Sequence, residues 1–172
     1  MSQNDEIQLG QGGFAERVRA FMFVGGQTVD KFNLAQTALY VGLMFEELSE
    51  TLEVVSQGCV SSQERVRLTS VVSLMKQMSM EFREGKHGGD IMRCDHAKLL
   101  DGFIDTAVVS VGGAVSFSPN ALGAIAAVLD ANDAKFPGGV ATRTADGKIR
   151  KPEGWREADL TPFLPHIDRD SE

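Results

Sequence analysis

Residues 34–57 read LAQTALYVGLMFEELSETLEVVSQ. Leu39, Leu43, Met44, Leu48, Leu52 and Val55 recur at helical spacing, which predicts one long helix with a broad apolar stripe. Asn33 is a suitable N-terminal cap and Gly58 a suitable stop. Four carboxylates interrupt this apolar helix: Glu46, Glu47, Glu50 and Glu53. Glu46, Glu50 and Glu53 share a stripe at i, i+4 and i+7, and Glu47 and Glu50 form an i, i+3 pair, so like charges crowd one side. No Lys or Arg lies between Asn33 and Gln63, so nothing within the helix offsets the repulsion. The reading expects a largely buried helix whose acids need cations from elsewhere.

A second run, Leu99-Leu100-Asp101-Gly102-Phe103-Ile104-Asp105-Thr106-Ala107-Val108-Val109, has the same character. Asp101 and Asp105 stand one turn apart in a helix that reads as core. Burying two unpaired carboxylates is costly, so partners are expected. Lys98, one turn earlier, could serve one of them; a metal shared with the Glu cluster would serve both. Oxygen-only ligands suit Mg²⁺, with Mn²⁺ as a substitute. Such a cage suits the grip of a polyphosphate.

Outward from these two helices, the periodicity predicts others over about 13–24, 62–84, 95–116 and 119–134. Gly25-Gly26 ends the first and Ser61 precedes the third. Asp95 caps the fourth and Pro119 opens the fifth. Gly85-Lys86-His87-Gly88-Gly89 reads as a loop. Gly112-Gly113 inside the fourth helix costs up to about 1 kcal/mol each relative to Ala, tolerable where another helix packs very close. Pro137-Gly138-Gly139 breaks the pattern. Residues 140–150 read as two short strands around Asp146-Gly147, a favoured hairpin turn. Pro152, Gly154, Pro162 and Pro165 give an irregular tail. The expected architecture is all-α: an antiparallel helical bundle over about 13–135, then a short β-hairpin and tail over 136–172 folding back on it, in a single domain over 1–172.

Composition narrows the partners. A net charge of −7 argues against a general nucleic-acid binder, which needs a basic stripe. It does not argue against a nucleotide enzyme, because a bound metal inverts the local field. No apolar run is read as reaching the ~18 residues of a membrane span, and the polar opening segment is not read as a signal peptide. Cys59 and Cys94 lack metal-ligand spacing and read as free thiols in a reducing cytoplasm.

The tail adds a third group: Asn132 and Lys135, then Asp146-Gly147-Lys148, then Lys151. An amide and three ammonium groups beside a metal site are suitable phosphate clamps; alone they are ordinary surface residues. Trp155, the only Trp, could stack on a base or simply pack. Glu84-Gly85-Lys86-His87 is one Glu-x-x-His where a di-iron bundle needs two on helices. His96 and His166 are isolated, and the Met-rich run through Met75, Met78 and Met80 reads as core or subunit interface. No Walker A or Gly-x-Ser-x-Gly pattern occurs, and Gly10-Gln11-Gly12-Gly13-Phe14-Ala15 lacks the preceding strand a dinucleotide fingerprint needs.

Together these residues resemble the MazG-like, all-α nucleoside triphosphate pyrophosphohydrolases, and most closely their phosphoribosyl-ATP pyrophosphohydrolase-like, phage-type branch. Glu46-Glu47-Leu48-Ser49-Glu50 matches that superfamily's Glu-Glu-x-x-Glu, and Asp105 the final Asp of its Glu-x-x-Asp. Gly102 stands where the Glu would be, and Asp101 is the natural replacement. Asn132/Lys135, Asp146-Gly147-Lys148 and Lys151-Pro152 are similar to the family's tail, and Phe21-Met22 with Gly26-Gln27 to its opening, so the likeness spans about 14–163. The gap between Glu50 and Asp101 is long for the family. The resemblance implies cleavage of a (deoxy)nucleoside triphosphate to monophosphate and diphosphate, possible purine substrates such as (d)GTP included. It implies Mg²⁺ on Glu47, Glu50, Asp101 and Asp105, with Glu46 and Glu50 catalytic, Glu46 activating or orienting the attacking water and Glu53 a second choice for that role. Asn132, Lys135, Lys148, Lys151 and Trp155 are implied as the substrate-binding group, in a cytoplasmic homo-oligomer, dimer or tetramer. Phosphoribosyl-ATP hydrolysis is one alternative, and a non-catalytic helical interaction module another.

Overall fold

A computed structural model describes residues 8–143 and 149–166. The fold is all-α. Its helices are α1 (Phe14–Val24), α2 (Leu34–Gln57), α3 (Ser62–Arg83), α4 (Gly88–Arg93), α5 (His96–Phe117) and α6 (Ala121–Asp133), with single 3₁₀ turns at Pro137–Gly139 and Thr161–Phe163. Two compact units form: Asp30–Leu99, and Met1–Val29 with Leu100–Glu172.

Local chemistry sets the boundaries. Asn33 Oδ1 accepts the Gln36 N–H at 3.1 Å, and Ser61 Oγ accepts that of Glu64 at 3.4 Å. Asp95 Oδ1 accepts the N–H groups of Ala97 and Lys98 at 3.0 and 3.2 Å. Each satisfies a donor that the first helical turn leaves open. The opening residue of α6 differs from the expectation. Asn120 caps it, accepting the Gly123 N–H at 3.0 Å, and Pro119 lies outside. The other departure is α4, which begins where a loop was expected to end. Gly88 and Gly89 are poor helix formers, but Ile91 is buried, and its packing outweighs local propensity.

In the Asp30–Leu99 unit, α2 and α3 form an antiparallel hairpin. Its seam is not the expected stripe of large apolar residues. Leu48 and Val55 are about half exposed, whereas Ser49 is completely buried. Gly42, Ser49 and Ser56, seven residues apart, are buried along α2, and Val72 and Ser79 are buried along α3. A seven-residue repeat keeps one line of a helix facing its neighbour. The approach is tight: a Cβ on Gly42 would lie 2.9 Å from the Ser79 carbonyl oxygen. The buried hydroxyls are satisfied within the helix, Ser49 Oγ donating to the Glu46 carbonyl and Ser56 Oγ to that of Glu53, each at 2.7 Å. α4 packs against α2.

In the other unit, α1 packs on α6. Phe21 and the buried Phe136 meet at 4.9 Å between ring centroids. The Thr161–Phe163 turn of the tail packs against α6, and Ser118 Oγ, just before α6, donates to the Phe163 carbonyl at 2.7 Å. Among the described residues the expected hairpin appears as an antiparallel bridge between Arg143 and Ile149; its turn, Asp146-Gly147, lies outside them.

α5 contradicts two expectations. It is 22 residues long and its most apolar 18-residue stretch has mean hydropathy 1.4, long and apolar enough to cross a membrane by length and composition. It also buries no residue, so Asp101 and Asp105 are exposed in the single chain, not buried. A Cβ on Gly102, Gly112 or Gly113 would meet nothing within 4 Å, so among the described residues no helix approaches the glycine pair closely.

Candidate functional site

The acidic run on α2 divides according to its neighbour. Glu46 Oε2 pairs with Arg83 Nη1 at 2.6 Å, and Glu53 Oε2 with Lys76 Nζ at 2.6 Å. Seven residues separate the acids on α2 and seven separate the bases on α3, so the pairs repeat with the seam. The cations that α2 lacks are thus supplied by α3. On a wheel of 100° per residue, Glu50 and Glu47 turn progressively away from the Gly42–Ser49–Ser56 line. Glu50 is exposed and makes no hydrogen bond or ion pair with any described residue.

On α5, Asp101 and Asp105 project one turn apart. Neither has a hydrogen-bonding or charged partner among the described residues, and Lys98 does not pair with Asp101. Among the described residues no three His, Cys, Asp or Glu side chains converge to hold a metal. The proposed ligands are drawn two from each compact unit, Glu47 and Glu50 from one, Asp101 and Asp105 from the other.

The tail residues do come together. Asn132, Lys135, Lys151 and Trp155 line one open cleft of about 290 Å³ between α6 and the tail. The Trp155 indole N–H donates to the Ala131 carbonyl at 2.7 Å, which fastens the tail to α6. Lys135 Nζ lies 5.2 Å and Lys151 Nζ 4.2 Å from the indole centroid, within cation–π range. The indole therefore holds two ammonium groups at one cleft. Lys135 also donates to Asn132 Oδ1 at 2.8 Å. Among the described residues Lys151 pairs loosely with Glu157, at 3.7 Å. Lys148 lies outside the described residues.

One group supporting this cleft was missed in the sequence. Arg17 is 8% exposed. Its guanidinium donates to Asp130 Oδ1 at 2.7 Å and, through two nitrogens, to Asp133 Oδ2. Burial would lower its pKa, but the hydrogen bonds and charges of Asp133 and Asp130 prevail and hold it above its ordinary value. The cluster ties α1 to the end of α6 that carries Asn132, three residues before Lys135. The available signal was Arg17 within the Phe14, Val18 and Phe21 stripe, facing an i, i+3 acid pair in an otherwise apolar helix.

Comparison of the chain with protein families, characterised proteins and solved structures finds no match to any of them.

Proposed function

We propose that this chain is a divalent-metal-dependent (deoxy)nucleoside triphosphate pyrophosphohydrolase, releasing monophosphate and diphosphate. The observation that carries the reading is the cleft in which Asn132, Lys135, Lys151 and Trp155 meet. Two ammonium groups and an amide at one open cleft suit a polyphosphate. Lys148 is proposed to join them. Trp155 serves the cleft as a wall that holds both lysines.

Glu47, Glu50, Asp101 and Asp105 are the proposed Mg²⁺ ligands. Their donor chemistry fits: all are carboxylates, and Glu50, Asp101 and Asp105 lack a cation among the described residues. Bound Mg²⁺ would offset the charge on the phosphate oxygens during attack. Glu50 would orient or activate the attacking water. Glu46 could do so only by sharing its carboxylate with Arg83, and Glu53 only by sharing with Lys76. The helices are proposed to form an antiparallel bundle in a homo-oligomer, a reading supported by the unburied apolar length of α5.

The test is a panel of common NTPs and dNTPs plus phosphoribosyl-ATP with Mg²⁺, scoring monophosphate and diphosphate. Turnover of phosphoribosyl-ATP alone would select that alternative. The pairing of Glu46 and Glu53 with α3 favours a second reading, a non-catalytic interaction module whose acids are structural. A rise in Tm with Mg²⁺ or Mn²⁺ speaks for a metal site. An unchanged Tm together with no turnover speaks for the module.

A further inference from the structure

Both ring nitrogens of His87 face carboxylates. Nδ1 lies 2.9 Å from Asp90 Oδ2 on α4, and Nε2 lies 3.3 Å from Glu81 Oε2 on α3. A neutral imidazole has a single N–H, so it can donate to only one of them and turns a lone pair toward the other. Only the imidazolium donates to both. The ring also stacks on Phe82 at 4.4 Å between centroids, and Phe82 stacks on Phe45 of α2 at 5.8 Å. The imidazole thus has one preferred charge and a fixed orientation.

We infer that the His87 imidazolium is a pH-operated latch: it fastens α4 to the end of α3, and α4 loosens when the ring loses its proton. The inference does not depend on the proposed activity.

The surrounding charges are accounted for on each packed element. On α3, Glu81 also accepts from Gln77 at 2.9 Å, and Arg83 is taken by Glu46 of α2. In the connecting loop, Lys86 pairs with Glu84 at 2.7 Å. On α4, Arg93 donates to the other oxygen of Asp90 at 2.8 Å, which preserves that carboxylate's charge. α2 brings apolar groups: Leu34 lies against Gly88 and Phe45 against Phe82. The two carboxylates, Asp90 first and then Glu81, raise the His87 pKa above its ordinary 6.5. The sign follows. The latch contributes fully below about pH 6.5 and is lost as pH rises through the higher folded value.

The effect reaches beyond α4. The Ile91 carbonyl meets His96 Nε2 at 2.9 Å, and His96 begins α5. The latch therefore bears on the first turn of α5 at His96.

Hydrogen exchange of the α4 amides, corrected for the intrinsic pH dependence of exchange, tests this at about pH 5.5 and about pH 8.5, either side of the ordinary histidine range. In the intact protein, α4 opening should rise several-fold at the higher pH. His87→Gln should open α4 at both pH values and remove the pH response. Asp90→Asn, a milder change should His87→Gln fail to fold, should reduce that response. Equal α4 protection at both pH values in the unmodified chain would overturn the latch. So would a full pH response retained in either variant.

Discussion

At the scale of single residues, the carboxylates of α2 divide into two kinds. Glu46 and Glu53 have cationic neighbours on α3, whereas Glu50 is exposed and unpaired among the described residues. The consequence is testable by substitution. Glu50→Gln should reduce turnover at least about 10²-fold, the scale of a lost acid–base or metal-bound group, with the fold intact. Removing one like charge from the run should leave the metal-free Tm level or slightly higher. Glu46→Gln and Arg83→Met should each cost no more than about 1 kcal/mol in stability, since the pair is about one-third exposed. A collapse of activity in Glu46→Gln but not in Arg83→Met would assign Glu46 to the chemistry. Equal, small losses in both would assign it to the hairpin.

At the scale of elements, the α2–α3 hairpin rests on small residues. Gly42 faces the Ser79 carbonyl so closely that any Cβ must displace the backbone opposite. Gly42→Val should therefore destabilise by roughly 1–3 kcal/mol, the usual cost of overpacking, measured by denaturant unfolding. The position of α2 was legible from its apolar recurrence and caps; its contact face was not. Periodicity weights large hydrophobic residues, and here the buried line is Gly, Ser and Ser, which hydropathy does not mark. The Arg17–Asp130–Asp133 cluster escaped for a related reason, since pairing across more than a hundred residues leaves no local pattern. The tail behaved differently. Asn132, Lys135, Lys151 and Trp155 were legible as a group because α6 and the irregular segment after Pro137 are close in the chain, so a short return brings them together. Truncation after Phe136 should raise KM and lower kcat. The loss in kcat/KM should reach several kcal/mol if two or more charge-assisted hydrogen bonds, each worth roughly 1.5–3 kcal/mol, are removed. An unchanged kcat/KM would make the tail structural only.

At the scale of the whole molecule, α5 is the feature that a single chain leaves unexplained. It carries Leu100, Ile104, Val108 and Val109 more than half exposed, together with two acids that have no partner among the described residues. The same helix reads as core in the sequence because composition cannot distinguish burial within a chain from burial by another copy. The homo-oligomer and the shared use of Asp101 and Asp105 are proposed to answer both features. The proposed enzyme follows from joining those acids, the α2 carboxylates and the lysine cleft into one reaction, cleavage between the α and β phosphates. The most direct measurement is ³¹P NMR of deoxynucleoside triphosphates incubated with the intact protein and Mg²⁺. Monophosphate and diphosphate are expected in equal amounts for at least one substrate, with no reaction when the metal is chelated. Orthophosphate and nucleoside diphosphate as the products, or no hydrolysis of any triphosphate, would contradict the proposed activity.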